Sequence, residues 1–131
     1  MAYRVLRGDE HEWEERPHPE GAPPRRFADI TSQAGLRESR ARIWRLPPGT
    51  RGRRHKELVQ EEVFVVLSGT LTMVLGEPPE RFDLPAGSVV SVEPETGVQM
   101  RNESDDEEAV VFVYGAPPVA GQAEYLGDVE L

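Results

Sequence analysis

Between residues 41 and 114 the chain is cut into short apolar pieces by turn residues. No segment carries the 3.6-residue spacing of an amphipathic helix over ten or more positions. The pieces are 41–46 (ARIWRL), 55–58, 62–67 (EVFVVL), 70–75 (TLTMVL), 88–92 (SVVSV), 98–101 and 109–114 (AVVFVY). Between them stand Pro47-Pro48-Gly49, Ser68-Gly69, Gly76-Glu77-Pro78-Pro79, Pro85-Ala86-Gly87, Pro94 and the run from Asn102 to Asp106. These residues favour turns because glycine reaches positive φ, proline fixes φ, and Asn, Asp and Ser bond their own backbone. Seven or eight short strands with no helices between them predict an all-β chain. The expected form is a small antiparallel β-barrel or jelly roll of two sheets.

The flanks read differently. Residues 1–40 form a charged, proline-rich arm in which Pro17, Pro19, Pro23 and Pro24 block a helix. An edge strand at 3–6 and a helical turn within 31–40 fit there. The barrel is expected over 41–116, and the tail 117–131 has room for a last strand at 123–126. The acidic run 103–108 (ESDDEE) reads as a solvated hairpin loop. With 131 residues the chain is about one domain.

Charge and composition remove several function classes. Asp and Glu number 24 against 15 Lys and Arg, a net charge of -9, which argues against a nucleic-acid partner. No apolar run reaches the roughly 20 residues of a membrane helix, and the N-terminus has no signal-peptide stretch. A cytoplasmic protein is expected. With no cysteine, a metal site must use His, Asp or Glu. The absence of a G-x-S-x-G elbow, a P-loop and a dinucleotide fingerprint leaves no indication of a nucleotide or organic cofactor.

One stretch carries chemistry: GTRGRRHKELVQEEVFVVLSG, residues 49–69. His55 and Glu57 are two apart, so a strand points both side chains to one face. Glu62 opens the next strand, and a hairpin there would bring its carboxylate across from the pair. One imidazole and two carboxylates suit a hard divalent ion, Mn, Fe, Zn or Ni. If Glu62 faces inward, so do Phe64 and Val66. A carboxylate against that wall needs either a cation or a raised pKa. Without a metal, Glu57 and Glu62 repel one another, and one of them becomes a candidate general base. Arg51, Arg53, Arg54 and Lys56 around His55 fit either an anion clamp at the entrance or a solvated loop.

The spacing Gly49-x5-His55-x-Glu57-x4-Glu62-x6-Gly69 resembles the first motif of the cupin family, G-x5-H-x-H-x(3,4)-E-x6-G. Glu57 stands where the family usually has its second histidine. The second family motif, G-x5-P-x-G-x2-H-x3-N, lies on Gly87 through Asn102. There Glu93 and Glu95 replace the Pro and Gly, and Val98 replaces the third histidine. A register anchored on Pro94 would put Gln99 there instead, but loses Gly87 and Asn102. The resemblance implies a barrel of two antiparallel sheets with a small-molecule ligand inside, and a homodimer. It implies a metal-assisted isomerase or lyase type of enzyme, or alternatively a non-enzymatic metabolite-binding or sensing barrel that has lost its metal. Phe64, Val98, Met100 and Trp44 are the pocket candidates, each of which could equally be core. His11 and His18 could fold over from the arm to supply a missing ligand, and Trp13 could line the pocket or belong to the core. Val63, Val65 and Leu67 point outward and need cover from a second copy or from the arm.

Overall fold

A computed structural model describes residues 2–119 and 121–131. Eleven strands and one short helix occur among the described residues. The order is β1 (Trp13–Arg16), β2 (Arg25–Asp29), α1 (Ile30–Ala34), β3 (Arg40–Leu46), β4 (His55–Glu57), β5 (Glu61–Ser68) and β6 (Thr70–Leu75). β7 (Glu80–Pro85), β8 (Val89–Val92), β9 (Val98–Arg101), β10 (Ala109–Ala116) and β11 (Ala123–Tyr125) follow. They form a six-stranded sheet, β1-β2-β3-β10-β5-β8, and a five-stranded sheet, β11-β4-β9-β6-β7. Every pairing is antiparallel. No strand belongs to both sheets, so the barrel is a jelly-roll sandwich without closure.

Strand parity places the core. On β3, Arg42, Trp44 and Leu46 share one face, and the register sets Trp44 beside Val111 and Phe27. Phe27, Trp44, Phe64, Val66 and Val111 of the larger sheet meet Leu71, Met73, Val98 and Met100 of the smaller one. Each such side chain contributes about 1.5–3 kcal/mol when fully buried. The opposite face of β3 and β10 is also covered, since Leu6, Trp13, Ala34 and Leu36 pack around Ile43 and Phe112. The N-terminal segment therefore cloaks the middle of the larger sheet. It leaves β5 without that cover, with Leu67 50% exposed.

Several expectations change here. The arm is ordered as a β1–β2 hairpin on the edge of the larger sheet, and its four prolines all fall in the connection between those strands. Residues 3–6 form no strand. The helical turn starts one residue before the expected window, at Ile30, and Gly35 ends it at φ 70°. β7 has no counterpart in the sequence reading. It is a mostly exposed strand at the end of the smaller sheet, so ERFDLP shows no buried alternation to betray it. The acidic run is largely exposed as expected, but it links β9 to β10 across the two sheets and is not a hairpin. No described helix is long and apolar enough to cross a membrane.

Two motif residues serve the turns. Gly69 sits at φ 73°, and a Cβ there would run into the Glu108 carbonyl oxygen. Asn102 is buried, its Nδ2 donating to the carbonyls of Leu46 and Glu107, both at 2.8 Å. Its Oδ1 accepts from the Ser104 amide.

Candidate functional site

The strands that carry the three candidate ligands lie in different sheets. His55 and Glu57 are on β4 of the smaller sheet, whereas Glu62 is on β5 of the larger. The expected hairpin is absent; the connection 58–60 crosses the sandwich. Glu62 therefore meets the pair from the opposite wall. One ligand atom from each of His55, Glu57 and Glu62 lies within 4.8 Å of the others. His11 and His18 do not join this group among the described residues. His11 meets Trp13 edge-on, and buried His18 accepts the Glu20 amide on Nδ1.

Local contacts orient the imidazole. His55 Nδ1 is 3.0 Å from the Arg53 carbonyl, so that nitrogen carries the proton. Nε2 then faces Glu57 Oε2 at 3.3 Å. A backbone carbonyl that fixes the tautomer in this way is the usual support of a metal-binding histidine. Burial pulls the His55 pKa down, but the Glu57 hydrogen bond, the Arg53 carbonyl and both carboxylate charges outweigh it, and the net shift is upward. Burial, then the Glu57 charge, push Glu62 up to about 7, against the opposing pull of His55 and Arg40. Glu62 Oε1 is buried with no hydrogen-bond partner. A carboxylate oxygen in that state lacks either a proton or a cation.

The group opens onto a cavity of about 510 Å³, a size typical of small-molecule sites. Of the four pocket candidates, Phe64, Met100 and Trp44 line it. Val98 does not. Its side chain is in the core, on the β9 residue paired with His55. Gln99 is hydrogen-bonded to the Gly52 carbonyl and Asp128, away from the cavity. Trp13 packs on the outer face of the larger sheet. The basic loop, which fitted either an anion clamp or a solvated loop, is mostly engaged away from the cavity. Arg51 pairs with Asp128, Arg54 with Glu77 and Lys56 with Glu124, and only Arg53 reaches the cavity, over the Tyr125 ring.

Other lining residues were missed. Arg16, Arg25, Arg40 and Arg42 enter from β1, β2 and β3, and Gln60 and Tyr125 flank the acidic end. Alternation held a signal for two of them, since Arg40 and Arg42 share strand parity with Trp44. Tyr125 arrives because β11 pairs with β4, opposite His55. Gly115 lies between Arg40 and Glu62 in the cross-strand register, and the Gln60 side chain occupies the space a Cβ there would take.

The profile of the family described as "Cupin domain" matches residues 42–114, more than half of the chain. No curated protein matches the sequence. Among solved structures, a polyketide cyclase, RemF from Streptomyces resistomycificus, is similar at TM-score 0.77 and 17% identity, covering 99% of this chain and 89% of that one. A predicted oxalate decarboxylase from Thermotoga maritima is similar at TM-score 0.76 and 18% identity, covering 87% and 99% respectively. A sugar phosphate isomerase of the cupin superfamily from Silicibacter pomeroyi has TM-score 0.75 and 19% identity, covering 95% and 93%.

Proposed function

The chain belongs to the cupin family, and on that premise we propose that it is a cytoplasmic enzyme of isomerase or lyase type acting on a polar small molecule, with a divalent ion held by His55, Glu57 and Glu62. One observation carries the reading: the buried, unpartnered Oε1 of Glu62 within reach of an oriented imidazole and a second carboxylate. These residues fit a metal. The donor set is hard, which suits Mn, Fe, Zn or Ni, and three protein ligands leave positions open for a substrate. When bound, the ion would polarise a substrate oxygen.

The chain's own groups do the rest. Trp44, Phe64 and Met100 line the cavity with apolar surface and exclude water from the substrate's carbon frame. Gln60 is pinned by its bond from Nε2 to the Pro117 carbonyl at 2.9 Å, which fixes its place beside the acids. In the metal-free cavity, Glu62 near pH 7 can take a proton from a carbon next to a substrate oxygen and return it. The similar solved structures bear the names of a cyclase, a decarboxylase and an isomerase, so the fold selects no reaction.

A second reading, a metabolite-binding or sensing protein without catalysis, is favoured by Val98 at the place of the third family histidine. A homodimer through the outer face of β5 and β8, where Leu67 and Val89 are exposed, belongs to the same proposal. The test is equilibrium dialysis against Mn and Zn followed by elemental analysis. About one ion per chain is expected, lost in His55→Ala and in Glu62→Gln. No uptake by the wild-type protein at any loading overturns the metal reading.

A further inference from the structure

Five arginines line the cavity that holds the acidic group: Arg16, Arg25, Arg40, Arg42 and Arg53. None of them forms an ion pair among the described residues. Arg45, Arg51, Arg54, Arg81 and Arg101 each have a carboxylate partner. A chain with 24 acidic side chains against 15 basic ones has carboxylates to spare, yet leaves these five unmatched.

Three of them crowd one aromatic pair. Phe27 and Trp44 lie tilted with centroids 5.0 Å apart. The Arg25 guanidinium carbon stands 4.2 Å from the Trp44 centroid, and those of Arg16 and Arg42 stand 5.1 and 4.8 Å from that of Phe27. Arg25 is only 7% exposed, and its Nε is buried with no partner. Gly52 makes room for it, because a Cβ there would come within 2.8 Å of Arg25 Nη1. Burial, then the charges of Arg16 and Arg42, hold Arg25 down at about 10. Burial, then Arg16 and Arg40, lower Arg42, while Asp29 and Glu14 offset this only in part.

Arg25 and Arg42 are desolvated beside one another and beside Arg16 with no counter-ion, which is costly, and an anion entering the cavity removes that cost. We propose that Arg16, Arg25 and Arg42 form an oxyanion-binding subsite for the carboxylate or phosphate group of a small organic acid. The rest of the acid extends past Arg40 toward His55, Glu57 and Glu62. The subsite names the substrate class of the cavity and rests on the proposed function only for the chemistry after binding. Guanidinium forks match both carboxylate and phosphate oxygens. β2, the middle of the three strands that carry the subsite, is three strand spacings from β5, about 14 Å, and the long side chains at both ends reach into that gap.

The experiment is calorimetric titration of the full chain in chelator with inorganic phosphate and, separately, with succinate. One site per chain is expected for at least one of the two anions, weakening as salt rises. The Arg16→Gln/Arg42→Gln variant should weaken it at least about tenfold, while Arg81→Gln, which changes an arginine paired with Asp83 and Glu103 away from the cavity, leaves it intact. The preferred anion names the group. Failure of both anions to bind the wild-type chain, or equal binding by a folded double variant, overturns the inference. Should the double variant not fold, Arg16→Gln alone decides in the same way, because Arg16 is exposed on an edge strand. Metal uptake is scored on the same preparation after the chelator has been dialysed out. Uptake without anion binding overturns this inference alone, and anion binding without uptake overturns only the metal reading.

Discussion

Removing the charge of Glu62 should stabilise the metal-free protein at high pH. Its pKa rises from an ordinary 4.5 to about 7 on folding, so the folded state holds the proton more tightly than the unfolded one. The stability this confers is fully present below pH 4.5 and is lost as pH climbs through 7. His55 acts with the same sign, because its net shift is also upward. Each unit is worth 1.36 kcal/mol, so the shift of Glu62 sets a ceiling of about 3 kcal/mol between pH 4.5 and 8. For a domain of this size that is roughly 10 °C in melting temperature. Thermal melts of the wild type and of Glu62→Gln in chelator, from pH 5 to 8, measure it. The wild type should lose stability across this range and the variant should lose much less, ending the more stable of the two at pH 8. A wild-type profile that is flat or rising, or a variant with the same slope, refutes the burial argument for Glu62.

Other substitutions and additions have equally definite outcomes. Gly69→Ala should cost 2 kcal/mol or more, roughly, in urea unfolding, since the position needs positive φ and the Cβ meets the Glu108 carbonyl. Glu95 holds φ 66° at the place where the second family motif has glycine. Glu95→Gly should therefore raise stability by about 1 kcal/mol in the same assay. At pH 8, excess Mn or Zn should raise the melting temperature of the wild type and leave His55→Ala unmoved; about 2.7 kcal/mol is expected at a hundredfold excess over Kd. Light scattering should give a dimer for the wild type and a monomer for Leu67→Lys on the outer face of β5.

Much of this was legible in the residues. The turn glycines and prolines marked the central strands because they act locally, and the spacing of His55, Glu57 and Glu62 survived a wrong account of how they meet. Two apart on a strand holds in any sheet, whereas hairpin or crossover is decided by the whole sandwich. β7 escaped because an exposed strand has no buried face to alternate, and the β1–β2 hairpin because its prolines, all in the connection, dominate the local pattern. The arginine end of the cavity was missed for a different reason. Arg51 and Arg54 are close to His55 in sequence but pair outward, while Arg16 and Arg25 come from 30 or more residues away through pairings that short-range patterns do not encode.

Three side chains from opposite walls converge on one point. Anomalous diffraction from crystals soaked in a manganese salt addresses it directly. One strong peak is predicted, about 2.0–2.2 Å from His55 Nε2 and from a carboxylate oxygen of both Glu57 and Glu62. A manganese-saturated crystal with no peak among these residues, or with the peak on other ligands, contradicts it.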